Sequence, residues 1–290
     1  MQRAAGIDCG AGFTKAVIVF QDQDQDRPRI LGKGHTRSGV NLEEAATLAL
    51  GLALDGAGLQ RSAIDYVAST GFGRYNVGFR DIQITEITSA ARGARYLLPQ
   101  TQCVLDIGSQ STRAVGLQAS GKVRAFKTND KCAAGSGMFI VRAAKYLEVD
   151  LERVGELSLQ AVNPQPISSV CAVLAESEII NHLSAGVGVE DILRGIHDSL
   201  TDRALPLLRR AGFEKQLTLI GGVARQQGMV RALQERLGIE VDVPEDCEYV
   251  CALGAALLGL TRLRQKLGPP LRDAATPVSE VPVGSLSKTE

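Results

Sequence analysis

The sequence predicts an α/β protein made of two related halves that face each other across a cleft. Three observations carry this. The chain has 290 residues, 44% of them apolar, with 31 glycines, a composition suited to a globular α/β protein rich in tight turns. It contains an internal duplication: Gly6-Ile7-Asp8-Cys9-Gly10-Ala11-Gly12-Phe13-Thr14-Lys15-Ala16-Val17 aligns with Val104-Leu105-Asp106-Ile107-Gly108-Ser109-Gln110-Ser111-Thr112-Arg113-Ala114-Val115, Asp106 lying 98 residues after Asp8. The aspartates, a glycine, a threonine, a basic residue and an Ala-Val pair all coincide. Finally, a late strand over 217–220 runs into Gly221-Gly222 and then a helix.

Taken in order, residues 4–8 predict a strand, Gly10-Ala11-Gly12 a tight turn, and 14–20 a second strand rich in β-branched residues. Residues 21–28 read as a solvated hairpin tip, after which 29–33 resume the sheet. An amphipathic helix is expected over 41–58, capped by Asn41 with Glu43 and Glu44 in its first turn. Residues 66–70 form a strand closed by Gly71-Phe72-Gly73, and 86–98 a helix. The duplication then gives strands at 102–106 and 112–117 around a turn at 108–111. After Gly221-Gly222, a helix is expected over 226–237 with Gly238 beyond it. The small-residue segment 251–260 predicts a helix packed closely behind that glycine pair. From Gly268 onward periodicity disappears, so 266–290 reads as a mobile tail. The domains expected are 1–100 and 101–265.

Lys+Arg and Asp+Glu both number 32, which gives no overall drive toward nucleic acid or an anionic membrane surface. No apolar run reaches the ~20 residues of a membrane span, and Met1-Gln2-Arg3 leads straight into a strand pattern. A cytoplasmic location is expected. In a reducing compartment the six cysteines are not a disulfide framework. Cys9, Cys103 and Cys251 lie in apolar or small-residue runs and read as small buried hydrophobes. Cys247 and Cys251 make at most a weak metal pair. Cys132 and Cys171 differ, since each sits in a small-residue loop just before a run with helical spacing.

The Asp-x-Gly hairpins have a physical use. Asp8 and Asp106 end strands and can hold a hydrated Mg²⁺, while glycine-rich turns let backbone N–H groups approach phosphate oxygens. The turn residues Gly10, Gly12, Thr14, Gly108 and Ser109 are therefore candidates for phosphate contact. Lys15 either reaches phosphate or is an exposed strand lysine. Gly221 and Gly222 would bring backbone close to a nucleobase and ribose.

Two such hairpins with a late Gly-Gly strand-helix resemble the acetate kinase, sugar kinase, Hsc70 and actin superfamily. That resemblance implies two ribonuclease-H-like domains, internally duplicated, closing on ATP and Mg²⁺. The segments Asn129-Asp130-Lys131-Cys132-Ala133-Ala134-Gly135-Ser136-Gly137 and Cys171-Ala172-Val173-Leu174-Ala175-Glu176-Ser177-Glu178 narrow it. They resemble the BadF/BadG/BcrA/BcrD-type ATPases: activators of 2-hydroxyacyl-CoA dehydratases and ATP-binding subunits of benzoyl-CoA reductase. In that family two subunits share one [4Fe-4S] cluster, each giving two cysteines, here matching Cys132 and Cys171. Both would precede helices whose positive ends favour thiolate.

The resemblance further implies a homodimer or a heterodimer with a related ATPase subunit, and a ferredoxin or flavodoxin as electron donor. ATP hydrolysis would drive electrons into a partner acyl-CoA reductase or dehydratase. Gln110 matches a glutamine that could orient the attacking water. Glu176 lies where the superfamily contacts ribose or base, or is a solvated helix carboxylate. The sequence also departs from the pattern. Dehydratase activators usually read Gly-Gly-Gln-Asp-Ser-Lys where this chain has Gly108-Ser109-Gln110-Ser111-Thr112-Arg113, and Ala90 stands where a histidine usually follows the Glu86-Ile87-Thr88 motif. The altered hairpin leans the expectation toward a benzoyl-CoA reductase ATPase component, with a homodimeric dehydratase activator as the alternative. A small-molecule kinase of the same fold, or a non-catalytic ATP-sensing scaffold, are the competing readings.

Overall fold

The computed structural model describes residues 2–22, 27–129, 136–168, 171–213 and 215–267. Residues 130–135, which include Cys132, part of the expected hairpin tip and the expected tail beyond 267 lie outside the described residues.

Two five-stranded sheets form the frame. The first runs β3(Arg29–Arg37), β2(Phe13–Gln21), β1(Gln2–Cys9), β4(Tyr66–Thr70), β5(Ile82–Gln83) across its width. The second repeats that order with β8(Val123–Asn129), β7(Thr112–Leu117), β6(Cys103–Ile107), β9(Leu217–Ile220) and β10(Val241–Asp242). In each, the first three strands in sequence are antiparallel and the last two join in parallel. The likeness extends to irregularities. A register shift falls between Ile18 and Val19 in the first sheet and between Gly116 and Leu117 in the second, the same 98-residue offset as the aspartates. This is the two-domain α/β, ribonuclease-H-like architecture with internal duplication that the hairpins predict.

The central strands are covered on both faces, so they read as continuous apolar runs rather than alternating ones. Alternate residues still part company by face. Ala5, Ile7 and Cys9 of β1 pack on Ala46, Ala49 and Ala53 of α1(Leu42–Ala57). Ala4 faces the other way, with Val17 and Val19, onto α8(Val250–Leu267). In the second sheet Leu105 and Ile107 meet α3(Gly137–Tyr146), α5(Ala172–Ser184), α6(Val189–Arg210) and α7(Gln227–Leu237). Val104, Val115 and Ile220 face α2(Glu86–Leu97). The second half is larger because α3, α4(Val154–Leu159), α5 and α6 occupy the crossover that α1 alone fills in the first.

Local chemistry sets several ends. The Asn41 side chain accepts from the Glu44 N–H at 3.2 Å, and Gly58 and Gly238 close α1 and α7 in the left-handed conformation. α8 corrects one expectation. It runs to Leu267, and only its first turn touches the second sheet; the rest lies across the first. The cause is steric fit: a Cβ on Gly6 would sit 2.0 Å from the Ala252 carbonyl oxygen, so strand and helix backbones are in direct contact. Reciprocally, α2 comes from the first half and covers the second sheet. α2 and α8 also cross tightly, Gly254 meeting Ser89 and Gly93 meeting Val250.

Candidate functional site

The two hairpin turns meet at the mouth between the halves. A Cβ on Gly12 would lie 2.7 Å from Ser109 Oγ, so backbone of one turn abuts a side chain of the other. Behind the turns Asp8 and Asp106 end β1 and β6 at equivalent register, each opposite a base on the return strand: Asp8 with Lys15, Asp106 with Arg113. Lys15 Nζ stands 3.8 Å from Asp8 Oδ2 and donates to the Phe13 carbonyl at 3.2 Å. Arg113 Nη1 donates to Asp106 Oδ2 at 3.1 Å.

Burial raises the pKa of both carboxylates, and the nearby cations only partly offset it: Lys15 then Arg113 at Asp8, Arg113 at Asp106. Neighbouring negative charge adds to the rise, from Glu86 at Asp8 and from Asp8 at Asp106. Two hard carboxylates held short of full compensation suit a hydrated divalent cation that arrives with its own charge. Among the described residues no three His, Cys, Asp or Glu side chains form a ready metal cage.

Glycines shape the floor. Gly71 and Gly221 follow β4 and β9, both at φ +90°. A Cβ would fall 2.5 Å from Asp8 Oδ1 at the first and 2.7 Å from Asp106 Oδ1 at the second. Only glycine fits, because both the dihedral and the space forbid a side chain. Gly222 begins a single 3-10 turn with open space about its Cα.

The other predicted residues divide. Gly10 is packed against the Phe13 carbonyl, and the Gly108 N–H donates to Ser111 O at 2.9 Å. Gln110 is exposed at the tip of the second turn. Thr14 is fully buried, its hydroxyl 2.9 Å from Ser38 Oγ and turned toward Cys9. Ser38 in turn donates to the Gly10 carbonyl at 2.6 Å, bracing the first turn from below. Glu176 binds within the protein: it accepts from Arg142 Nη1 and from Tyr146 OH, both at 3.1 Å, and thereby joins α5 to α3.

Cys171 is the residue before α5, extended and partly exposed, with its carbonyl accepting from Ala175 N–H. On the same helix, Glu178 accepts from Ser168 N–H at 2.5 Å. Cys132 precedes α3 but lies outside the described residues. α3 itself is tied to the second hairpin, since Gly137 N–H donates to Gly108 O at 2.9 Å and Met138 N–H to Ser109 O at 2.8 Å. Cys9, Cys103, Cys247 and Cys251 are buried. Cys247 faces Glu248, and its thiol is pushed up to about 12 by burial and that carboxylate. Cys251 points at Asp106 Oδ2 from 3.9 Å.

Glu86, Arg74, Ser38 and Cys251 were not expected at this site. Gly71 had a sequence signal, because it stands after β4 as Gly221 stands after β9. Glu86 stood in the Glu86-Ile87-Thr88 motif without a role at this site, and Arg74, Ser38 and Cys251 had no sequence signal, being brought in by tertiary structure alone.

The family model for the BadF/BadG/BcrA/BcrD ATPase family matches residues 5–259. The chain belongs to that family. This BadF/BadG/BcrA/BcrD ATPase is 39% identical over 261 residues to the activator of lactoyl-CoA dehydratase of Anaerotignum propionicum, covering 90% of this chain and 98% of that one. It is 38% identical over 270 residues to a benzoyl-CoA reductase component of Thauera aromatica, covering 90% and 94%. Its structure superimposes on the activator of the 2-hydroxyisocaproyl-CoA dehydratase from Clostridium difficile with bound ADPNP, at a TM-score of 0.85 and 35% identity over 92% of this chain and 97% of that one. No helix among the described residues is long and apolar enough to cross a membrane.

Proposed function

We propose that this family member is an ATP-hydrolysing activator that delivers low-potential electrons to a partner enzyme acting on an acyl-CoA. Two subunits would share a [4Fe-4S] cluster through Cys132 and Cys171 of each. The observation that carries the reading is the pair of hydrogen bonds from Gly137 and Met138 to the carbonyls of Gly108 and Ser109. Any shift of the second turn on nucleotide binding or hydrolysis must pull on the first turn of α3, the helix that follows Cys132. Glu176 passes that pull to α5, whose preceding residue is Cys171. A partly exposed thiol at a helix start suits ligation of an anionic cluster. When bound, the cluster supplies a one-electron carrier of low potential.

Asp8 and Asp106 would hold Mg²⁺ through water, Gly10, Gly12, Gly108 and Ser109 would lie along the phosphates, and Gly221-Gly222 would face the adenosine. Gln110, exposed beside the second turn, would orient the attacking water, and Lys15 would turn from Asp8 toward phosphate. Chemistry of this kind rests on positioning and charge neutralisation. The division into 1–100 and 101–265 would then be a division between two phosphate-binding halves. Ferredoxin or flavodoxin would be the electron donor. An ATPase component of a benzoyl-CoA reductase is the second reading, favoured by the 38% identity to the Thauera aromatica protein and by the altered second hairpin.

The test is anaerobic purification with iron analysis of wild type and of Cys132→Ser and Cys171→Ser. Wild type should hold about two irons per chain, one cubane per dimer. Both variants should lose iron and partner reduction while still binding ATP. A colourless, iron-free wild-type protein would refute the cluster. Supplying a 2-hydroxyacyl-CoA dehydratase or a benzoyl-CoA reductase core then separates the two readings.

A further inference from the structure

The two carboxylates of the site are paired unequally. Asp8 has a single flexible ammonium at 3.8 Å, whereas Arg113 grips Asp106 with one prong of its fork. The other prong, Nη2, lies 3.4 Å from Glu86 Oε1 at the start of α2. Glu86 Oε2 takes Arg74 Nη1 at 3.1 Å, and the same Nη1 donates to the Gly71 carbonyl at 3.0 Å, next to Asp8. A continuous polar chain thus crosses the cleft from Asp106 through Arg113, Glu86 and Arg74 to the floor beneath Asp8. Burial alone would depress the Arg113 guanidinium, but Asp106 and Glu86 outweigh it and raise its pKa, so the charge is permanent.

We propose that Arg113 is a resident counter-cation that competes with the nucleotide-borne divalent metal for Asp106, with Glu86 setting how strongly it competes. The proposal rests on the reading of Asp106 as a carboxylate that serves the metal. A guanidinium and a hydrated divalent cation cannot both take the same lone pairs of Oδ2 at full strength. A metal held at Asp106 would weaken the Arg113 contact there and leave Glu86 as the guanidinium's remaining carboxylate partner. Glu86 is therefore a positioning residue that pulls against Asp106 for one cation. A lysine at 113 would be a point charge unable to span both carboxylates at once.

This predicts opposite effects from two mild substitutions, measured by Mn²⁺ titration with electron paramagnetic resonance on the full chain saturated with a non-hydrolysable ATP analogue. Arg113→Lys removes a charge-assisted contact to Asp106 and should tighten Mn²⁺ binding about tenfold, roughly the equivalent of one such hydrogen bond. Glu86→Gln removes the competing anchor, commits Arg113 to Asp106, and should weaken Mn²⁺ binding several-fold. A merely structural Arg113–Glu86 bridge would loosen the site in both variants and weaken both titrations, which overturns the proposal. Asp106→Asn separates the failures. If it leaves Mn²⁺ affinity unchanged, the reading of Asp106 falls and takes the proposal with it. If it weakens Mn²⁺ binding while Arg113→Lys does not tighten it, the role of Arg113 alone is refuted.

Discussion

His197 lies on α6 with both ring nitrogens engaged: Nδ1 stands 2.8 Å from Ser158 Oγ and Nε2 2.9 Å from Gln226 Oε1. The ring is fully buried, and burial holds its pKa down to about 4, the bond to Gln226 only partly resisting. A histidine depressed in the folded state contributes stability that is complete above its unfolded pKa near 6.5 and drains away as pH falls toward 4. The full contribution is about 3 kcal/mol. Urea midpoints between pH 7 and pH 4 should fall accordingly, and a folded His197→Gln variant should show a flatter profile over that window. The link matters locally because Gln226 ends the turn that begins at Gly222. The other sharp residue-scale demand is at Gly221. Gly221→Ala forces a side chain to φ +90° against Asp106 Oδ1. It should cost about 1–3 kcal/mol in stability by denaturant melt and lower ATP hydrolysis more than a surface substitution of equal cost.

At the scale of elements, α2 and α8 cross with their backbones in direct contact. A Cβ on Gly254 would lie 1.8 Å from the Ser89 carbonyl oxygen and one on Gly93 2.1 Å from that of Val250. Gly254→Ala should therefore separate the helices and destabilise the protein by about 2–3 kcal/mol, read as a lowered denaturation midpoint. The same substitution at Gly51 on α1, where nothing stands within 4 Å, should be neutral or slightly stabilising. These elements also mark how far the sequence could be read. The hairpins were legible because the duplication fixes them twice, and α1 was legible from Asn41, its acidic first turn and Gly58. α6 was not. Ile192, Ile196, Leu200, Ala204 and Leu208 recur on one face with helical spacing, but Gly195 and Pro206 lie within Val189–Arg210 and weaken its local helix signal, and the buried His197, Ser199 and Thr201 break up its apolar pattern. Nor was the partner of α8 visible, since a small-residue helix does not say which sheet it will meet. At the site, Asp8, Asp106 and the glycine turns could be read from local spacing. Glu86, Arg74 and Arg113 could not be seen as one network, because their meeting depends on the two halves closing on each other.

For the molecule as a whole, contacts between the halves extend beyond the site, with Lys33 Nζ 2.6 Å from Asp246 and His35 Nδ1 2.8 Å from Tyr249 OH. A nucleotide spanning both hairpins should stabilise both halves together. At one hundred times its dissociation constant the gain is about 2.7 kcal/mol, and it should appear as a single shifted thermal transition rather than two. The exchange of α2 and α8 between the sheets has a consequence for the order of synthesis. When the first hundred residues leave the ribosome, α1 can cover one face of their sheet, but Ala4, Val17, Val19 and Tyr66 on the other face await α8, which begins only at Val250. The early half must remain a one-sided, sticky sheet until α8 has been made. Nascent chains arrested before residue 250 should bind chaperone and be cut readily by protease, and release of α8 from the exit tunnel should end both.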